Sequence, residues 1–221
     1  MKKIEAVIFD MDGLMFDTEP LYFETNVVLA EKRGKTYTHD LHRSLMGKRA
    51  LHVMEGVRDG LKLFEDAATL LDERNVIFKK LLETRARMMP GLLELLDFLK
   101  ANNIRKAIGT SSSNEWVDTL LGRFGISDRF ETIVTGNEVQ HGKPHPEIYL
   151  TALARLDLPA ASYLVLEDAI HGVHAGKAAG CVVGAVPNSF TEDQDFSAAD
   201  HVFSSLNDRK LYTLLTEMRE E

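Results

Sequence analysis

Cysteine is almost missing: Cys181 stands alone in 221 residues, which excludes an internal disulfide framework and fits a reducing compartment. Its setting in the apolar run Cys181-Val182-Val183-Gly184-Ala185-Val186 marks it as a core residue. Positive charge is also short, with 26 Lys and Arg against 34 Asp and Glu and a formal net charge of -8. Nucleic-acid binding, which needs concentrated cations facing phosphates, is thereby excluded, and no stretch interleaves basic and aromatic residues. No apolar run approaches membrane-spanning length, and Met1-Lys2-Lys3 leads into a run too short for a secretory signal. Internal repeats and low-complexity segments are lacking too. With 44% hydrophobic and 27% charged residues, the composition is that of an ordinary globular protein. We expect a soluble, cytoplasmic monomer without membrane or nucleic-acid partners, able to take a small anion wherever its site is locally positive.

What is present begins at the first strand. Ile4 to Phe9 has the length and β-branched content of a buried strand. At its carboxyl end stands Asp10-Met11-Asp12-Gly13, where ligands sit in open α/β sheets. In an extended segment residues two apart point the same way, so Asp10 and Asp12 share a side. Two carboxylates this close ionise together only if a cation neutralises one, or one stays protonated. An Asp-capped turn from strand to helix uses the same residues, so the rest of the chain has to decide.

From Pro20 to about Arg87 the periodicity is helical. Helices are expected from Leu21 to Gly34, over Leu51 to Leu61, and from about Glu65 to Met88, with Pro20 in a first turn. Pro90-Gly91 marks a boundary, after which helix and strand alternate. Strands are expected over Ile104 to Gly109, Thr132 to Val134, Tyr163 to Leu166, Cys181 to Val186 and His201 to Phe203. Helices are expected over Leu92 to Leu99, Asn114 to Phe124, Pro146 to Leu156, His171 to Ala179 and Asp208 to Met218. Such alternation implies right-handed crossovers and a mainly parallel sheet. The carboxyl ends of its strands then share one rim, which collects Asp10 and Asp12, Thr110 to Ser113, Thr135-Gly136 and Glu167-Asp168.

That rim holds one candidate for each task of phosphoryl transfer. Asp10 suits the nucleophile, because a carboxylate forms an acyl-phosphate that splits one hard step into two. Asp12 suits the acid that protonates the leaving group and the base that activates water. The Thr110 hydroxyl and the Ser111 backbone N–H suit an anion cradle. Lys143, in the stiff loop His141-Gly142-Lys143-Pro144-His145-Pro146, suits the cation that holds phosphate. Glu167 and Asp168 add hard oxygen ligands of the kind Mg2+ prefers, with Asp10 and Asp168 as its direct carboxylate ligands.

At these residues the chain resembles the haloacid dehalogenase-like superfamily of phosphotransferases. Asp10-Met11-Asp12-Gly13 looks like its first motif, Thr110 its second, Lys143 its third and Glu167-Asp168 its fourth, in the right order over nearly the whole chain. The resemblance implies an α/β, Rossmann-like core of residues 1–16 and 89–221, with a four-helix cap of residues 17–88 inserted after the first strand. It implies that the backbone carbonyl of Asp12 also ligates Mg2+, and that Glu167 is either a ligand or a neighbour of one. Hinges for cap movement would lie near Met15 to Asp17 and Met88 to Gly91.

The segment Leu45 to Leu51 looks like the family's substrate-facing cap loop, so Lys48 and Arg49 are candidate substrate contacts, although a solvated basic pair reads the same way. This loop and Glu138 to Lys143 are similar to pseudouridine-5'-phosphatase-like members, and the overall pattern is close to 2-deoxyglucose-6-phosphatase-like and β-phosphoglucomutase-like ones. The mutases of the family carry a His in the first cap helix near the position of Tyr22 here, which favours a phosphatase. The expectation is a Mg2+-dependent phosphatase of a small sugar or nucleoside-like phosphate, working through phospho-Asp10. Alternatives are a phosphosugar mutase, a non-enzymatic phospho-Asp signalling module, and metal-free dehalogenation. His171 and His174, three apart beside Asp168, permit joint metal binding but read better as a hydrated helix surface.

Overall fold

A computed structural model describes residues 3–45 and 50–217. Six parallel strands form one sheet: β1 (Ala6–Phe9), β2 (Arg105–Gly109), β3 (Thr132–Val134), β4 (Tyr163–Glu167), β5 (Val182–Ala185) and β6 (His201–Val202), in the order β3-β2-β1-β4-β5-β6. This is the doubly wound Rossmann order, with the topological switch beside β1. Every residue of β1 and β4 is buried. Buried central strands are why both read as unbroken apolar runs and not as an alternating pattern.

Helices α1 (Glu19–Glu31), α2 (His39–Leu45), α3 (Ala50–Leu61) and α4 (Ala67–Arg85) lie between β1 and β2 in sequence. The later helices are α5 (Leu92–Ala101), α6 (Asn114–Phe124), α7 (Glu147–Leu156), α8 (Ile170–Ala178) and α9 (Arg209–Glu217). On one face of the sheet Ile8, Ala107, Val165 and Val183 pack with Tyr149 and Ala152 of α7 and Val173 of α8. Cys181 is buried in the same cluster, as expected of it. Burial of this kind contributes about 25 cal/mol per Å2 of apolar surface, and it holds the strand ends in register.

The chain divides into two compact units, Thr18–Ala86 and the remainder on both sides of it. The expected insertion of 17–88 is one residue wider at its start and two at its end. Thr18–Ala86 has its own core of Leu29, Tyr37, Met54, Val57, Leu61 and Leu70. It carries its own ion pairs, Arg33 reaching Glu65 at 2.8 Å and Glu73 at 2.7 Å. Within it Tyr22 stacks on Phe78 at 4.1 Å, with the Arg74 guanidinium 4.9 Å from the Tyr22 ring centre.

The two stretches of the larger unit that flank this insertion are paired with each other. The Asp17 N–H donates to the Arg87 carbonyl at 3.0 Å and the Met89 N–H to the Met15 carbonyl at 2.8 Å, forming an antiparallel bridge between Phe16 and Met88. That pairing explains a difference from the expected Glu65 to Met88 helix. The helix ends at Arg85 because the next residues are extended against 15–17.

Candidate active site

Register brings the acidic residues together. Phe9 sits opposite Ile108 of β2 and Leu166 of β4, so one residue further along each strand come Asp10, Gly109 and Glu167. The Asp10 N–H donates to the Leu166 carbonyl at 3.0 Å, and Asp10, Glu167 and Asp168 are all buried. Their carboxylate oxygens lie within 4.8 Å of one another.

Lys143 reaches into this cluster. Its Nζ donates to Asp10 Oδ1 at 2.5 Å, to Glu167 Oε1 at 2.6 Å and to the Gly109 carbonyl at 3.0 Å. All three ammonium protons are thus engaged, so Lys143 orients Asp10 here and meets a phosphate only by exchanging one partner. Sequence reasoning assigned it to phosphate alone and missed this. Tyr149 of α7, six residues on, donates its hydroxyl to Glu167 Oε1 and offers its ring face to Lys143 at 5.1 Å.

Electrostatics follow from the burial. Burial pushes the Asp10 carboxyl up to about 8; Lys143 works against that rise, while Glu167 and Asp12 add to it. Burial also disfavours the charge on Lys143, but Asp10 and Glu167 outweigh it and hold the ammonium well above the usual lysine range. Burial, seconded by Glu167, keeps the Tyr149 phenol protonated well above its ordinary range. Three buried carboxyl groups converge on one ammonium, and a cation among them would offset the charge Asp10 gains on losing its proton. An all-carboxylate donor set at this spacing fits a hard ion such as Mg2+.

Asp12 stands at the same rim, and its Oδ2 accepts the Ser112 hydroxyl at 2.6 Å. Ser112 in turn donates its N–H to the buried Thr110 hydroxyl at 3.1 Å. The Thr110 N–H is held by the Val134 carbonyl at 3.0 Å, which ties the loop to β3. Ser111 beside it is exposed.

Two glycines make the site possible. Gly13 turns the chain at φ +75°, and a methyl there would fall 2.2 Å from Asp168 Oδ2. A methyl at Gly172, in the first turn of α8, would fall 1.8 Å from the Glu167 carboxylate carbon. Asn188, in the loop after β5, donates its amide to Asp168 Oδ2 at 2.8 Å and to the Gly13 carbonyl at 3.1 Å.

Of the residues read from the sequence, Asp10, Asp12, Thr110, Ser111, Lys143, Glu167 and Asp168 all lie at this rim. Lys48 and Arg49 lie outside the described residues. His171 and His174 are exposed on α8 and belong to neither group of converging metal-ligating side chains among the described residues. Ser112, Tyr149, Gly172 and Asn188 were not read as site residues. For Ser112 the one available signal was its place in the Ser111 to Ser113 run after a strand.

Comparison with known proteins places this geometry in context. A family pattern described as haloacid dehalogenase-like hydrolase matches residues 7–186. A phosphorylated carbohydrates phosphatase of Thermotoga maritima is 41% identical over 184 residues, covering 80% of this chain and 82% of that protein. A β-phosphoglucomutase of Bacillus subtilis is 31% identical over 228 residues, covering 98% and 96%. The crystal structure of CbbY from Rhodobacter sphaeroides in complex with phosphate superposes with a TM-score of 0.80 at 28% identity, covering 92% of this chain and 95% of that one.

Proposed function

This chain belongs to the haloacid dehalogenase-like hydrolases, and from that membership and the rim geometry we propose a Mg2+-dependent phosphatase of a small phosphorylated metabolite, a sugar phosphate or nucleoside-like phosphate. The observation that carries the reading is the convergence of Asp10, Glu167 and Asp168 from two neighbouring strand ends, with Lys143 bonded to the first two. A carboxylate held at one oxygen by an ammonium is oriented for attack on phosphorus.

Asp10 attacks the phosphorus, the ester oxygen leaves, and Asp12 supplies the proton that oxygen needs. Asp12 then takes a proton from water, which attacks the phosphorus of phospho-Asp10, releasing inorganic phosphate and restoring both carboxyls. The Ser112 hydroxyl holds Asp12 for both transfers. The Thr110 hydroxyl and the Ser111 N–H receive the phosphoryl oxygens, joined by Lys143 once it exchanges a partner. Asp10, Asp168 and the Asp12 carbonyl would hold Mg2+, with Glu167 adding charge and anchoring Lys143. When bound, Mg2+ offsets the repulsion between an attacking carboxylate and an anionic phosphate.

The β-phosphoglucomutase similarity favours one second reading, in which a sugar hydroxyl replaces water as acceptor. Against it, Tyr22 stands near where the mutases of the family carry a His, and it is stacked on Phe78. We take Thr18–Ala86 as the cap unit. The deciding assay is phosphate release from sugar phosphates, nucleotides and pseudouridine 5'-phosphate, with and without Mg2+. Release that needs Mg2+ and falls at least about 1,000-fold in Asp10→Asn, with the circular dichroism unchanged, is expected. Retained turnover in Asp10→Asn overturns the mechanism, and interconversion of hexose 1- and 6-phosphates without phosphate release selects the mutase.

A further inference from the structure

The loop that delivers Lys143 carries chemistry that the phosphatase reading does not use. Among the described residues a second group of metal-ligating side chains converges: His141, His145 and Glu147, whose donor atoms lie within 4.8 Å of one another. It shares no residue with the buried carboxylates. Both imidazoles are exposed and Glu147 is half-buried, with the two rings 4.6 Å apart between centres. His141 Nδ1 lies 2.9 Å and His145 Nδ1 3.8 Å from the same oxygen, Glu147 Oε2. A tetrahedral ion with bonds of about 2.0 to 2.2 Å needs donors about 3.3 Å apart, and these two separations bracket that value.

The donors are also held in place. Glu147 accepts the N–H of Gln140 at 2.8 Å and of His141 at 3.0 Å, and these bonds hold its carboxyl below the usual range. The His145 N–H closes a turn onto the Gly142 carbonyl at 3.0 Å. His145 Nδ1 accepts the Glu147 N–H at 3.3 Å, so Nδ1 carries no proton, and it reaches an ion by giving up this long bond. Loop closure is already achieved by the Glu147 bonds to two backbone N–H groups, and nothing in that closure calls for two imidazoles on one side of it.

We propose that His141, His145 and Glu147 form a surface site for a borderline divalent transition ion, best matched by Zn2+, with water in the fourth position. Two imidazoles and one carboxylate suit Zn2+, whereas Mg2+ takes oxygen donors and stays with the buried carboxylates. An ion held at His141 Nδ1 needs the tautomer that carries its proton on Nε2, and it replaces the contact of Nδ1 with Glu147.

Isothermal titration of the full chain with Zn2+ in excess Mg2+ tests this. One Zn2+ per chain is expected, weakened at least about tenfold by His141→Ala and by His145→Ala and unchanged by His171→Ala. Repeating the titration in Asp168→Asn separates any Zn2+ entering the carboxylate site, because the His-dependent event persists there. Co2+ in place of Zn2+ is expected to give the visible absorption of a four-coordinate ion that both His variants lose. Mg2+-dependent turnover checks that the exposed substitutions leave the fold intact. Absence of Zn2+ binding in the wild type, or equal binding in the His141 and His145 variants, overturns the proposal.

Discussion

Ser112 and Asp12 are 100 residues apart in the chain and 2.6 Å apart in space, and this bond helps orient the Asp12 carboxyl. Removing it should misplace the proton without removing it. We expect Ser112→Ala to lower kcat about 10- to 100-fold on esters with poor leaving groups and much less on p-nitrophenyl phosphate, whose leaving group needs no proton. Steady-state kinetics on the two ester classes measures the contrast, and equal losses would count against it. The same bond shows what a sequence can reveal of a site. Asp10, Asp12, Thr110, Glu167 and Asp168 were legible because each ends a strand or closely follows one, where side chains gather by topology. Asn188 and Tyr149 were not, because each acts through a contact across the site that no local pattern records, and Ser112 was legible only as one of the serines after β2, without its bond to Asp12. Lys143 was legible as a cation near the site, but its bond to Asp10 needed coordinates.

Among elements, the start of α8 constrains the site most tightly. Gly172 lies in its first turn, and its missing side chain is the space the Glu167 carboxylate occupies. Gly172→Ala should push Glu167 off Lys143 and Tyr149. Phosphate release is then expected to fall at least about 100-fold, with the Mg2+-induced rise in Tm lost. Gly122 on α6 is the counterpart, since a methyl there meets nothing within 4 Å. Gly122→Ala is expected to stabilise by about 0.5 to 1 kcal/mol with activity kept. Calorimetry with an activity assay on both variants checks the pair. Most helices and strands stand where periodicity put them, because apolar patterning dictates which face is buried. Their ends shifted where tertiary pairing competed: β1 begins at Ala6, not Ile4, β4 extends through Glu167, and α4 stops before its expected end.

For the whole molecule, burial of Asp10 opposes the fold wherever the unfolded chain has lost that proton. Burial raises the Asp10 carboxyl from an unfolded value near 3.8 to about 8, so the folded chain holds a proton that the unfolded chain has lost. Its contribution to stability is therefore full below about pH 4 and declines as pH rises to about 8, by of order 1 kcal/mol per pH unit at most. In EDTA, Tm should fall over that range more in the wild type than in Asp10→Asn. The rise in Tm on adding Mg2+ should grow from pH 6 to pH 8, as proton competition at Asp10 fades. Thermal unfolding with and without Mg2+ measures both, and a rise independent of pH would contradict the assignment. The pairing of Met15 to Asp17 with Arg87 to Met89 has a consequence of another kind. Because the chain leaves and re-enters the sheet unit at one hydrogen-bonded place, the length and content of what lies between are nearly irrelevant to how the strands close. Such a junction works as a socket: one catalytic sheet can acquire, lose or exchange its inserted segment over evolutionary time, or at a designer's bench, without being rebuilt.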